Sequence, residues 1–359
     1  MEKCKIAVLF GGTSSEHEVS RMSATSVLNN LNPEKYEIYP VGITKQGRWY
    51  LYRGPVDWLS DGRWEQHSQN VPCAICPGSG LPGLVCFEGD HIYSLPLDVV
   101  FPVLHGKNGE DGTVQGLFEM AGLPYVGCGV LGSAVCMDKV VANTIMDAAG
   151  IQRCEWDYME RWQLSDFDAI ESRVAQKLGY PIFVNPANAG SSVGISKAAD
   201  KAALKKAVDL ALEHDSRVIF ERFVDGQEIE CAVCGNEDVH STLPGEILAS
   251  AEFYTYEDKY ISGTSRTVYP ARLPQETLEQ VARIAEKAYR TLCCKGLSRV
   301  DFFVERETGK ILLNEINTMP GFTNISMYPK LMMEQGMTYS QLLDRLVNLA
   351  LERGDRNGR

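Results

Sequence analysis

The segment 298–317, reading SRVDFFVERETGKILLNEIN, carries a guanidinium, several carboxylates and an amide in an alternating pattern. Glu307-Thr308-Gly309 reads as a three-residue hairpin loop with glycine at the left-handed position, which pairs Arg306 with Lys310. That register sets Asp301 opposite Glu315 and Arg299 opposite Asn317. Side chains alternate along a strand, so these four share one face, while Val300, Phe302 and Val304 point to the other and can be buried. Two directly opposed carboxylates repel each other, and a hard divalent cation removes the penalty. Two carboxylates and an amide oxygen suit Mg²⁺ better than Zn²⁺. Taken alone, the hairpin is equally compatible with a polar sheet face holding ordinary cross-strand ion pairs.

Other segments offer phosphate chemistry. Asn188-Ala-Gly-Ser-Ser-Val-Gly194 is a run of small residues whose backbone N–H groups can fold around an anion, or simply turn. Lys139, near the start of a helix, adds a cation where the helix dipole already favours negative charge; as an isolated feature it is a solvated lysine. Glu221 and Glu228 flank Arg222-Phe-Val-Asp-Gly-Gln227, a strand–turn–strand that could hold a base through backbone groups and a ribose through a carboxylate.

The elements that must position these groups follow from hydrophobic periodicity. Lys5–Phe10 reads as a buried strand entering Gly11-Gly12-Thr13-Ser14-Ser15, followed by a helix over 18–31. The glycine pair lacks the G-x-G-x-x-G spacing of a dinucleotide site. A strand over 99–104 enters His105-Gly-Lys-Asn-Gly-Glu-Asp-Gly112 and a helix over 113–121, so ligand crevices fall at the carboxyl ends of parallel strands. A helix over 133–149 leads to an α+β unit with strands over 180–184, 192–196 and 218–224 and a helix over 201–214. A third unit holds a strand over 228–234, a loop over 253–266, a helix over 277–294, the hairpin and a helix after Thr338, and the polar end 352–359 is expected to fray. The expected units are 1–127, 128–220 and 221–348, with a polar tail over 349–359.

Composition limits the partners. A net charge of −12 argues against nucleic acid or an anionic membrane surface, and no apolar run approaches a membrane span. Eleven cysteines, an odd and scattered number, point to a reducing compartment and hence to the cytoplasm. Cys73 and Cys76, and likewise Cys231 and Cys234, read as buried small hydrophobes rather than as half of a zinc site.

In this order the segments resemble the ATP-grasp enzymes, and among them the D-alanine–D-alanine ligase family. The resemblance spans nearly the whole chain. It rests on 105–116 (HGKNGEDGTVQG), on 296–321 with its Arg299, Asp301, Glu315, Asn317 and Gly321, and on 11–20, 137–139, 190–194 and Lys259-Tyr260. It implies a three-lobed α/β and α+β fold with an N-terminal parallel sheet and ATP held between the central and C-terminal lobes. It also implies a homodimer and a two-step ligation through an acyl phosphate, serving peptidoglycan precursor synthesis.

Carried over by position, Glu16 would hold the first substrate's ammonium, and His105 would lie near its carboxylate. Arg299 would stabilise the tetrahedral intermediate. Asp301, Glu315 and Asn317 would hold two Mg²⁺, with Mn²⁺ an alternative. Ser191 and Tyr260 would join Glu16 in closing the loop that carries Lys259. Gly321 and Ser326 would receive the second substrate's carboxylate, and Met327 would line its subsite. Lys139, Asn185, Ser192, Glu221, Arg222, Val224 and Glu228 would contact ATP.

One position departs from the family pattern: Asn185 stands where the family has a phosphate-binding lysine. This motivates a rival reading, a weakly active nucleotide-binding homologue. The other rival is a D-alanine–D-serine ligase of the vancomycin-resistance type. Met327 favours D-alanine over it, because the family's D-serine users tend to carry a polar or cationic residue there.

Overall fold

The computed structural model describes residues 2–78, 80, 82–188, 190, 194–248 and 266–356. Strand Cys4–Gly11, buried from Ile6 onward, pairs in parallel with Tyr36–Ile43 on one side and Val99–Pro102 on the other. These three strands are the parallel sheet expected from the sequence. Beyond Tyr36–Ile43 the sheet continues as an antiparallel meander to seven strands. Short connections permit only antiparallel neighbours in three of these four pairs, since parallel pairing needs a long crossover; Trp49–Leu51 and Val71–Ile75 are antiparallel although the longer stretch 52–70 joins them.

A four-stranded sheet follows, formed by strands between Trp156 and Arg222. Helices Phe167–Leu178 and Lys201–His214 cover it through Ile170, Val174, Leu204 and Val208. The third sheet centres on Gly226–Gly235, Gly296–Glu305 and Ile311–Asn317. Helix Gln275–Thr291 buries Leu278, Val281 and Ala285 against Ile229, Val300 and Phe302 on one of its faces. Helix Tyr339–Arg356 joins the third unit to the first, because Leu343, Leu346 and Val347 share one core with Ile6, Val8, Phe101 and Leu297.

Several expectations need correction. The helix expected over 133–149 is two helices, Val130–Met137 and Lys139–Ala148, separated by Asp138. The Asp138 side chain accepts hydrogen bonds from the N–H groups of Val140 and Val141, so it caps a new helix where hydrophobic periodicity alone ran on. Residues 352–356 do not fray but continue the last helix, and Arg353 is anchored on the carbonyls of Gly127 and Tyr125 at 2.7 and 2.8 Å. The short strand expected over 192–196 is Ser196–Ala198. All eleven cysteines are free; Cys73, Cys231 and Cys234 are buried as expected, but Cys76 is exposed beyond the end of its strand.

The hairpin turn also differs. Glu305 N–H bonds to Lys310 carbonyl, so the loop is the four residues 306–309, with Gly309 at φ +69°. Phe302 therefore faces Leu313, Phe303 faces Leu312 and Val304 faces Ile311. An irregularity between Asp301 and Phe302 absorbs the extra residue, and beyond it Asp301 opposes Glu315 and Arg299 opposes Asn317, as expected.

Candidate active site

The hairpin delivers its polar groups to one face. The Arg299 guanidinium forks onto Asp301, Nε to Oδ1 at 2.8 Å and Nη2 to Oδ2 at 2.7 Å, and Asn317 Nδ2 donates to Asp301 Oδ2 at 2.9 Å. Lys139 Nζ lies 3.7 Å from Glu315 Oε2. Each of the opposed carboxylates thus has a cationic side chain as counter-charge. Among the described residues, no three His, Cys, Asp or Glu side chains group as a metal site; the oxygens on offer at this face are those of Asp301 and Glu315 with the amide of Asn317. The donor set fits a hard divalent ion: every available ligand is oxygen, and two carboxylates stand opposed at adjacent strands.

Lys139 reaches this face because Asp138 starts its helix and because Lys139 N–H bonds to Ala187 carbonyl at 2.9 Å, just past strand Ile182–Pro186. Arg217 holds Asp138 at 2.7 Å. On the same strand Asn185 is buried, and its Nδ2 donates to Glu221 Oε2 at 2.8 Å. Asn185 Oδ1 is buried with no hydrogen-bond partner among the described residues. Burial raises the Glu221 pKa against the opposing pull of Lys139 and Asn185. Arg222 pairs with Glu305 at 3.1 Å, Val224 lies in the link between the second and third sheets, and Glu228 lies on strand Gly226–Gly235, opposite Phe303. That segment, expected as strand–turn–strand, is therefore a crossover from one sheet to another.

The opposite wall comes from the loops after the first unit's parallel strands. Glu16 is buried, and a Cβ on Gly106 or Gly190 would stand 2.4 or 2.6 Å from its Oε2, so a side chain at either position would push this carboxylate aside; Gly106 also needs its φ of +69°. Ser14 Oγ donates to His105 carbonyl at 2.7 Å, tying the 11–20 loop to the 105–112 loop. His105 is buried with both ring nitrogens engaged, Nδ1 with Met319 carbonyl at 2.9 Å and Nε2 with Ser23 Oγ at 3.2 Å. The Met319 carbonyl can only accept, so Nδ1 carries the proton of the neutral ring and the Ser23 hydroxyl donates to Nε2, while Ser23 Oγ accepts Phe322 N–H at 3.1 Å. Gly321, buried, lies inside this latch. Ser326 Oγ accepts Thr323 N–H at 3.0 Å, and Met327 opens the following helix with its side chain in the core, near Gly245.

Glu110 is a residue that sequence reading left without a role. Its carboxylate accepts N–H bonds from Gly106 at 2.7 Å and Met319 at 3.0 Å, clamping the 105–110 loop to the turn before Gly321. The available signal was its place in the Gly-Glu-Asp-Gly run. Burial, with Glu16 adding to it, pushes Glu110 up to about 8, while burial pushes His105 down to about 4. Native Glu110 therefore holds a proton that the unfolded chain has released between 4.5 and about 8, so its contribution to stability falls as pH rises through that window. His105 acts oppositely between about 4 and 6.5, where the unfolded chain binds the extra proton. Above pH 6.5 the His105 effect is spent, and the raised carboxyl of Glu110 acts in the falling direction, as does that of Glu221 where it titrates. Denaturant titrations should show stability falling as pH rises from 6.5 to 8, by on the order of 1 kcal/mol, and Glu110→Gln should flatten that slope.

Ser191, Ser192, Lys259 and Tyr260, with nearly all of the loop expected over 253–266, lie outside the described residues. Of the remaining expected site residues, Lys139, Arg299, Asp301, Glu315 and Asn317 come together at the hairpin face, whereas the Met327 side chain lies in the core and Arg222 pairs with Glu305.

Comparison with known proteins gives a consistent picture. The family model described as D-ala D-ala ligase N-terminus matches residues 5–128, and that described as D-ala D-ala ligase C-terminus matches 145–348. A D-alanine–D-alanine ligase of Acetivibrio thermocellus is 48% identical over 99% of this chain and 98% of its own, and one of Thermoanaerobacter sp. is 51% identical over 98% of each. The crystal structure of the VanG D-Ala:D-Ser ligase from Enterococcus faecalis superposes with a TM-score of 0.88 at 41% identity, covering 97% of this chain and 100% of its own. The D-alanine–D-alanine ligase of Coxiella burnetii gives 0.87 at 36% identity, covering 100% of this chain and 97% of its own.

Proposed function

Because the chain belongs to the D-alanine–D-alanine ligase family, we propose that it joins two D-alanines at the expense of ATP, forming the dipeptide used in peptidoglycan precursors. The observation that carries this reading is the convergence of Arg299, Asp301, Glu315 and Asn317 on one sheet face, with Lys139 brought alongside from another lobe.

In the first step a carboxylate oxygen of D-alanine attacks the terminal phosphorus of ATP, and the bond to ADP breaks. In the second, the amine of another D-alanine attacks the acyl carbon, loses a proton, and expels phosphate. Glu16, at the start of its helix, holds the first substrate's ammonium. Lys139 and the Arg299 guanidinium take up negative charge on the transferring phosphate and on the tetrahedral carbon. Both His105 nitrogens are committed to Met319 and Ser23, so we assign His105 to fixing the loop beside the first carboxylate. Gly321 and Ser326 receive the second carboxylate. Glu221, Arg222, Val224 and Glu228 border the nucleotide, and Ser191, Ser192, Lys259 and Tyr260 close the site, excluding water from the acyl phosphate. Asp301, Glu315 and Asn317 would hold two Mg²⁺, or Mn²⁺, which neutralise the ATP phosphates.

We place the enzyme in the cytoplasm as a homodimer. The free cysteines support a reducing compartment, and no helix among the described residues is long and apolar enough to cross a membrane. The likeness to the VanG enzyme keeps D-serine as the alternative second substrate. Met327, apolar and without a partner for a hydroxyl, favours D-alanine, but such pockets discriminate weakly.

The test is phosphate release by purified protein with ATP and Mg²⁺, offered D-alanine, D-serine or D-lactate, with products identified by mass. D-alanine should stimulate release and yield the dipeptide, and should outcompete D-serine in mixtures. Mainly D-alanyl-D-serine would move the assignment to the alternative. No stimulation by any D-amino acid would leave a nucleotide-binding homologue.

A further inference from the structure

Strands Gly226–Gly235, Gly296–Glu305 and Ile311–Asn317 set Glu230, Asp301 and Glu315 directly opposite one another, in one row across the sheet. Opposed residues in antiparallel strands point to the same face, so three carboxylates stand side by side. Glu230 was not reached from the sequence, since its partner strand is far away along the chain. Its side chain is only 7% exposed, and its Oε2 lies 3.1 Å from Arg299 Nε. The same guanidinium directs two hydrogen bonds at Asp301.

Asp301 cannot offer the same lone pairs to Arg299 and to a cation. When it turns to the cation, a side chain that is only 13% exposed loses its bidentate partner, and giving up a charged partner at so poorly solvated a place is costly. Glu230 meets that cost. It already touches Arg299, and it lies on the far side of Asp301 from Glu315. Two strand spacings, about 10 Å, separate it from Glu315, too far to share an ion held between Asp301 and Glu315.

We propose that Glu230 is a positioning residue that keeps Arg299 over the reacting groups while Asp301 exchanges the guanidinium for the cation. This rests on the ligase reading of Arg299 and Asp301. Without Glu230, Arg299 keeps its best partner only in the cation-free state, so that state gains relative stability and cation binding weakens.

The test measures Mn²⁺ binding in the presence of ADP, by electron paramagnetic resonance, for the wild type, Glu230→Gln, Arg299→Ala, the double variant and Asp301→Asn. Glu230→Gln should raise the Mn²⁺ dissociation constant about fivefold, and in the Arg299→Ala background the same change should have less than about a twofold effect. In turnover, Glu230→Gln should lower kcat about tenfold with the KM for ATP nearly unchanged. An equal effect on Mn²⁺ in both backgrounds would show Glu230 acting on the cation directly, and no effect in either would show it idle; both overturn the proposal while the cation site stands. Wild-type Mn²⁺ binding by Asp301→Asn would instead misplace the cation site, and the proposal would fall with it.

Discussion

Glu315→Gln is expected to lower turnover by about a hundred- to a thousandfold while leaving the metal-free protein as stable as before. The substitution keeps the size of the side chain and removes one charge from a row of carboxylates that repel one another. The ion pair given up with Lys139 is a 3.7 Å contact between partly exposed groups, worth little. The two terms nearly cancel in folding. For a phosphate-bound cation nothing offsets the loss, because a neutral amide replaces one of two charged ligands. Steady-state kinetics and metal-free thermal melting decide the matter together. A melting temperature lower by more than about 5 °C would show that Glu315 holds the hairpin together rather than serving the chemistry.

Asn185→Lys is expected to lower the KM for ATP, by up to about thirtyfold, the difference between a charged and a neutral hydrogen bond to phosphate. The surroundings favour the change. Asn185 leaves Oδ1 buried without a partner among the described residues, and its amide already faces Glu221, whose carboxyl is pushed up by burial. An ammonium there removes the stranded acceptor, stabilises ionised Glu221 and can reach a phosphate. If the charge acts only in the transition state, kcat rises instead. Unchanged or poorer constants would show that Lys139, which already lies near Glu221, supplies the charge and that a second cation crowds the site.

How much of this was legible beforehand depended on the range of the interactions. The Arg299, Asp301, Glu315 and Asn317 face followed from alternation and one glycine, yet it was reached through two departures that cancel. A glycine at 309 serves a three- or a four-residue loop equally well, and nothing in Asn314-Glu315 announces the irregularity that restores register. The break at Asp138 was written in a capping residue but masked by continuous hydrophobic periodicity on both sides. Glu110 and Glu230 stayed hidden for another reason: their roles lie in contacts with Met319 and Arg299, and no local pattern encodes a partner so distant in sequence.

The helix Tyr339–Arg356 carries one more consequence. Its Leu343, Leu346 and Val347 complete the core around Ile6, Val8 and Phe101, Asp344 receives Lys35 and Tyr36, and Arg353 clasps the carbonyls at 125 and 127. On the ribosome the first unit emerges early and this helix late. A nascent chain halted before residue 339 has helix His17–Asn30 on that side of the first sheet but lacks the rest of its cover, so the core around Ile6, Val8 and Phe101 closes only when a segment made more than three hundred residues later folds back over it.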